Sequence, residues 1–391
     1  SFENYYDNLP LSKVDQEKLV FLPVVVSLEN NVKVCITEVD LENYPGLYLT
    51  GQGNTQLLGD FAPYPKKVEQ GGHNNLQINV IEVENYIAKV DKPRNFPWRV
   101  AIVTDEDKEL ASTNLSYLLA EPSRLEDISW IKPGKIAWDW WNAWNLDGVN
   151  FETGVNNDTY KTYIDFASKN GIEYVILDEG WAVNLKADLM QVVPEINLEE
   201  LIAYANKKNV GLVLWAGYHA FNRDMENVCR HYAEMGIKGF KVDFMDRGDA
   251  GCERFLWTFA EECRKAKMIV DYHGAHRPTG MSRAYPNVVN YEGVHGLEQT
   301  KWFKNNYDFM ALTDHRVYNY ENFAPDLPIT IIPGTEYDNE FFRDGYGFRT
   351  WHHVCLGPAK EDGNGFDHDQ RLKYDKAYDQ EGMQKILDDI H

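Results

Sequence analysis

The chain has 391 residues, 43% of them hydrophobic and 13% aromatic, with a formal net charge of −22 and a pI near 4.9. That length and apolar content suffice for a large core and for two domains. The acidity excludes nucleic acid or an anionic membrane as the main partner, because phosphate binding needs basic patches and none is present.

A neutral ligand suits such a chain better, and no apolar run approaches the roughly 20 residues of a membrane span. The start, Ser1-Phe2-Glu3-Asn4, has no basic region, apolar core or small-residue cleavage site, so any signal peptide is expected to have been removed. Five cysteines are widely spread, with no C-x-x-C pair. They indicate neither a zinc site nor a disulfide framework, are read mostly as buried thiols, and leave the redox compartment open.

Up to about residue 128 the pattern is of short runs rich in β-branched and aromatic residues between turn signals: Leu19 to Leu28, Val32 to Val39, Gln77 to Val83 and Trp98 to Thr104. This predicts a β-sandwich over residues 1–128. A linker from Pro122 to Gly134 follows, and then apolar strands alternate with helical stretches. Strands are predicted at Lys135 to Trp140, Ile172 to Asp178, Val210 to Ala216, Ile237 to Phe244, Met268 to His273 and Val288 to Glu292. Helices are predicted at Asp158 to Lys169, Asn197 to Lys208, Asp224 to Met235 and Cys252 to Lys267, the second capped by Asn197 ahead of two glutamates. The alternation means a parallel sheet, and a strand spacing of roughly 30 residues suits a (β/α) barrel over 129–325.

Spacing alone does not separate a closed barrel from an open doubly wound sheet, although no G-x-G-x-x-G follows a strand. After Trp302 the last two barrel strands are not obvious. Pro328 to Pro333 is the one clear later strand, and residues 326–391 are either the rest of the barrel or a separate C-terminal segment.

Chemistry concentrates at the predicted strand ends. Asp243 closes the run Gly239-Phe240-Lys241-Val242-Asp243, Asp178 and Glu179 close another, and Glu292 leads through Gly293 and Gly296 to Glu298. Carboxylates in such places provide what hydrolysis of a sugar acetal needs, one to attack or activate water and one to protonate the leaving oxygen. A Walker loop, an H-E-x-x-H helix and a G-x-S-x-G elbow are all missing from the sequence. Aromatic residues beside these acids, including Trp138, Trp140, Trp141, Trp181, Trp215 and Tyr218, suit the apolar faces of a sugar ring.

These motifs resemble glycoside hydrolase family 97. The resemblance is carried by Trp130 to Asn142, Asn170 to Trp181, Lys241 to Arg247 and Asp271 to Gly280, and by Ile36 to Leu47 in the sheet region. It implies a β-sandwich followed by a (β/α)8 barrel and cleavage of α-glycosidic bonds with bound calcium. One branch of the family inverts and has glycine at the Asp243 position; the other retains, with aspartate there. By resemblance Asp243 is the nucleophile and Glu298 the general acid/base, while Glu38, Glu292 and Glu298 are the calcium ligands. Because calcium lowers the pKa of a carboxyl bound to it, Glu298 is expected to touch the metal weakly or through water.

Asp178, Trp181, Lys241, Asp246, His273 and His276 are the candidate substrate contacts. The expected activity is that of an exo-acting retaining α-galactosidase acting on an oligosaccharide or α-galactoside, in the periplasm or secreted, with the oligomeric state open. An α-glucosidase of the same family, or a carbohydrate-binding barrel without turnover, are the alternatives. Retention implies that Asp243 and Glu298 stand about 5 to 5.5 Å apart.

Overall fold

The computed structural model describes residues 2–183 and 185–296 in full, and the backbone of three later strands. Two compact units divide the chain, 1–296 and 297–391.

In the first unit the N-terminal sheet region comprises β1 (Val20–Phe21), β2 (Val24–Ser27), β3 (Lys33–Val39), β4 (Leu47–Gly51), β5 (Leu57–Phe61), β6 (Pro65–Gly71), β7 (Gln77–Val83) and β8 (Trp98–Thr104). They form three small antiparallel sheets, in the orders β1-β4-β5, β2-β3-β8 and β6-β7. The predicted strand from Leu19 to Leu28 is split at Leu22 and Pro23, since proline has no N–H to give to a ladder. The strands at 47–51, 57–61 and 65–71 went unrecognised, the last two being mostly exposed. Two short helices, α1 (Asp107–Ser112) and α2 (Leu115–Leu119), lead into the linker.

Six parallel strands follow: β9 (Ile136–Trp138), β10 (Tyr174–Leu177), β13 (Gly211–Gly217), β14 (Gly239–Asp243), β15 (Ile269–His273) and β16 (Val288–Glu292), with the hairpin β11 (Ala182–Val183) and β12 (Asp188–Val192) inserted after β10. Each barrel strand hydrogen-bonds to the next in sequence, giving the order β9-β10-β13-β14-β15-β16. Nowhere does that order reverse. A doubly wound sheet turns back at a switch point, whereas a barrel winds on in one direction, so these six strands are a partial barrel wall.

The connecting helices are α3 (Asn157–Lys169), α4 (Leu198–Lys207), α5 (Tyr218–Met235), α6 (Ala250–Lys265) and α7 (Met281–Ala284). Asn197 caps α4 as expected, its side chain accepting the Glu200 amide at 3.1 Å. Helix α5 starts six residues before its predicted first residue, Asp224, which is itself non-helical at φ −158°. The core between helices and sheet is led by Tyr160, Trp181, Phe221, Tyr232, Phe240, Phe259 and Tyr272.

The second unit contains β17 (Phe309–His315), β18 (Thr330–Arg343) and β19 (Tyr346–Leu356). β17 pairs with β18 in parallel and β18 with β19 antiparallel. No strand was expected over 309–315, where β17 is found.

Helix α6 depends on one buried acid. Asp249 accepts the amides of Gly251 and Cys252 at 2.9 and 3.2 Å and binds Arg247 with both oxygens, at 2.7 and 3.0 Å. Asp249→Ala removes the cap and leaves Arg247 unpaired, so it should cost about 2 to 4 kcal/mol in urea unfolding, with Asp249→Asn losing distinctly less.

Candidate active site

Four of the acids and histidines singled out in the barrel sequence stand at or just past strand C-terminal ends, the face on which (β/α) barrels carry chemistry. Asp178 follows β10, Asp243 ends β14, His273 ends β15 and Glu292 ends β16. Parallel register sets Gly217 beside Asp243 and His273 beside Glu292.

Lys241 lies at the centre, only 2% exposed. Its Nζ is 2.8 Å from Asp178 Oδ2 and 3.8 Å from Asp243 Oδ2, and 4.3 Å from the centre of the Trp138 ring. Burial opposes the ammonium charge, but Asp178 and then Asp243 outweigh it, and the pKa is raised. Asp178 Oδ2 also accepts the Trp138 indole N–H at 2.6 Å, and its backbone N–H donates to Asp139 Oδ2 at 3.2 Å. Asp139 is fully buried, and burial together with the Asp178 charge pushes its carboxyl up to about 7.

Both oxygens of Asp243 are held. Trp215 Nε1 donates to Oδ2 at 3.2 Å and the Phe244 amide to Oδ1 at 2.7 Å. Behind them Gly274 has φ +57°, and a Cβ there would come within 2.8 Å of the Phe244 nitrogen and 3.2 Å of Asp243 Oδ1. Only glycine leaves Asp243 this position.

His273 joins two further acids, with Nε2 3.2 Å from Asp271 Oδ1 and Nδ1 2.5 Å from Glu292 Oε2. Burial works against its charge, yet Asp271 and the hydrogen bonds to both acids hold its pKa up to about 10. Burial would likewise raise Asp271, but the charge of His273, the hydrogen bonds from His273 and Asn290, and Lys241 keep it low. Asp246 takes a left-handed backbone at φ 47°, donates its amide to the Gly274 carbonyl at 2.7 Å and accepts Gln77 Nε2 at 2.9 Å. A cavity of about 380 Å³ runs along the sheet from Pro133, Gly134 and Tyr174 to Trp138, Lys241, Asp271, His273 and Asn290, with Ile136, Ile176 and Val213 among its apolar walls; Asp178, Asp243 and Asp246 do not line it.

Two expected sugar contacts lie elsewhere. Trp181 is 1% exposed, packs edge-on against Tyr232 and gives its indole N–H to the Trp215 carbonyl at 2.8 Å. His276 is buried with its Nε2 2.9 Å from Glu253 Oε2. Their polar atoms are already engaged in the interior.

Glu298 lies outside the described residues, and with it the expected separation from Asp243. For calcium, the described members of the expected ligand set do not fit. The Glu38 carboxylate binds Arg99 at 2.9 Å, Arg277, and the Leu47 amide at 3.1 Å, while Glu292 is committed to a positively charged His273. Each has its counter-charge already. Among the described residues no three His, Cys, Asp or Glu side chains gather as a metal would need.

Sequence reading missed Asp139, Asp271 and Asn290. Asp271 had a signal: with His273 it falls at i and i+2 on one face of β15, as Lys241 and Asp243 do on β14. The contacts made by Asn74 and Gln77 from the N-terminal sheets had none.

The family model described as "Glycoside hydrolase 97" matches residues 140–294, and the one described as "Glycosyl-hydrolase 97 N-terminal" matches 1–122. The chain belongs to glycoside hydrolase family 97. A protein of Bacteroides thetaiotaomicron named retaining alpha-galactosidase is 69% identical over 303 residues, covering 77% of this chain and 46% of that protein. A probable retaining alpha-galactosidase of Streptomyces bingchenggensis is 31% identical over 208 residues, covering 52% of this chain and 32% of its own. The chain thus spans less than half the length of these relatives. A family 97 enzyme from Pseudoalteromonas sp. strain K8, solved in complex with acarbose, superposes with a TM-score of 0.65 at 20% identity, over 77% of this chain and 47% of that one. That likeness establishes a shared fold.

Removing the central cation tests the family 97 cluster. Lys241→Met should cost about 3 to 5 kcal/mol in denaturant unfolding, because it leaves buried carboxylates without a counter-charge. Adding Asp178→Asn should recover part of that loss, giving a clearly non-additive cycle.

Proposed function

We propose that this chain carries the nucleophile of a retaining α-galactosidase that works by double displacement through a glycosyl–Asp243 intermediate. The observation carrying the proposal is the setting of Asp243. It ends a barrel strand, its side chain is 14% exposed, and each oxygen is aimed by one N–H donor. An aspartate stands where the inverting branch has glycine, and the 69% identical relative is named a retaining alpha-galactosidase.

In the first step an Asp243 oxygen attacks the anomeric carbon while Glu298 gives its proton to the departing glycosidic oxygen. In the second, Glu298 takes a proton from water, which attacks the same carbon and releases Asp243 as carboxylate. Lys241 keeps a positive charge beside Asp243 throughout. Lys241 and His273 line the cavity as hydrogen-bonding groups for hydroxyls and Trp138 offers an aromatic face there, while Asp178 and Asp246, which do not line it, remain candidate contacts by their place after β10 and β14.

The proposal includes a barrel of eight strands and an N-terminal β-sandwich in the whole protein, a galactoside or oligosaccharide as substrate, and a periplasmic or secreted location. Among the described residues no helix is long and apolar enough to cross a membrane. Calcium enters through the resemblance alone, and no step runs through it, given the arginines on Glu38. Exhaustive chelation followed by calcium titration tests it: if calcium binds, both activity and melting temperature should rise on titration, and a melting temperature indifferent to calcium removes it.

For the mechanism, Asp243→Gly should abolish hydrolysis of an aryl α-galactoside, and azide should restore release of the aryl group. The small anion fills the space on the face opposite the leaving group, so the product is the β-galactosyl azide. NMR of wild-type reactions should show the α-anomer first. Initial release of the β-anomer would falsify the covalent mechanism.

A further inference from the structure

The turn between β6 and β7, Gly72 to Leu76, belongs to the N-terminal sheet region yet is fastened to the ends of three adjacent barrel strands. At β13, the Leu76 carbonyl accepts the His219 amide at 2.9 Å, and Leu76 packs so close that a Cβ on Gly217 would stand 2.5 Å from its own. At β10, Asn74 Nδ2 donates to Glu179 Oε1 at 2.7 Å. At β14, Gln77 Nε2 donates to Asp246 Oδ2 at 2.9 Å and approaches the Phe244 carbonyl at 3.4 Å. Positive φ at Gly72, Asn74 and Asn75 keeps the turn tight, and Gln70 Nε2 holds the Asn75 carbonyl at 2.8 Å.

The turn carries His73 to a specific place. Its ring lies 4.8 Å from the Phe244 ring, next in sequence to Asp243, and Phe244 in turn lies 5.9 Å from Trp215, which donates to Asp243. His73 Nε2 is 3.5 Å from Glu179 Oε2 and 3.1 Å from Asn74 Nδ2. Leu76 and Gln77 already fasten the two regions together. The His73 side chain remains 53% exposed, so it adds little burial where it stands.

We propose that His73 and Asn74 form a wall beside Asp243, outside the 380 Å³ cavity, and bind hydroxyls of a sugar held against that carboxylate, so that the N-terminal region helps to set which monosaccharide is accepted. The chemistry suits a polyol: an imidazole and a carboxamide supply donors and acceptors, Glu179 supplies a further acceptor, and the adjoining half-buried Phe244 ring offers an apolar face. The inference rests on the Asp243 cleft holding a sugar, and not on the sugar being galactose or on turnover.

The test compares wild type, His73→Ala, His73→Gln and Asn74→Ala. Affinity for D-galactose and D-glucose is measured by calorimetry, KM and kcat on an aryl α-galactoside, and folding by melting temperature. His73→Ala should raise KM and weaken binding of the preferred sugar about tenfold, the scale of one lost hydrogen bond to a hydroxyl, with kcat and melting temperature nearly unchanged. His73→Gln should restore part of the affinity, and Asn74→Ala should shift the ratio of galactose to glucose affinity. If both alanine variants keep wild-type affinity and ratio, the wall is only a clasp between regions and the inference is wrong. If wild type binds a sugar without hydrolysing α-galactosides, the galactosidase reading fails while the loss of that sugar's affinity in the variants still supports the wall. Wild-type protein that binds neither monosaccharide overturns the inference.

Discussion

Lys241 is the constraint around which the barrel face is arranged. Asp178 and Asp243 stand at the ends of strands that are separated by one other, with little water near either, and two carboxylates so placed repel strongly at low dielectric. A single ammonium 2.8 Å from one and 3.8 Å from the other removes that cost. The arrangement is directional as well as neutralising. Asp178 spends one oxygen on Lys241 and Trp138 together, leaving the cation close enough to Asp243 to act on it while Trp215 and the Phe244 amide fix the carboxylate's orientation. Asp139 below Asp178 extends the same economy, accepting a backbone N–H with a carboxyl whose raised pKa spares the cluster part of another negative charge.

What the sequence made legible follows from periodicity. The inner barrel strands β10, β13, β14 and β15 stood out because strands covered on both faces read as continuous apolar runs, and β16, although partly exposed, was found at its full extent, Val288–Glu292. Buried strands speak plainly. The strands at 57–61 and 65–71 did not, because their residues are mostly solvent-facing, and a strand without a buried face leaves little pattern. Helix α5 was read only from Asp224 onward because its first turns continue the aromatic, apolar character of β13 with no cap residue between them.

The site was legible to the extent that it is local. Asp178, Lys241, Asp243, His273 and Glu292 could be picked out because strand ends in a barrel converge whatever the intervening helices do. Trp181 and His276 show the limit. Each sits within a few residues of a strand end, but one turns into the helix layer against Tyr232 and the other toward Glu253 of α6. Direction is a matter of two or three backbone angles after the strand stops, and no periodic signal reports them. Asn74 and Gln77 mark the opposite limit, since their partners Glu179 and Asp246 are more than a hundred residues away in sequence.

Glu38 shows why a buried acid is harder to read than a buried apolar residue. A carboxylate with no exposed surface must have positive charge or several donors around it, and that much follows from its burial. Which positive charge is a separate question. Calcium, a lysine and an arginine all answer the same electrostatic demand, and a resemblance to metal-binding relatives favours the metal. Here Arg99 comes from the neighbouring strand β8, paired with Glu38 across the ladder, and Arg277 comes from the loop after β15. Two guanidiniums and the Leu47 amide leave the carboxylate neither a charge deficit nor a shortage of donors, so a divalent cation would have to compete with the half-exposed Arg99 or the buried Arg277 to bind it. The Arg277 contact ties the N-terminal sheets to the barrel wall, and the demand set by one buried carboxylate is met in part by a link between the two regions.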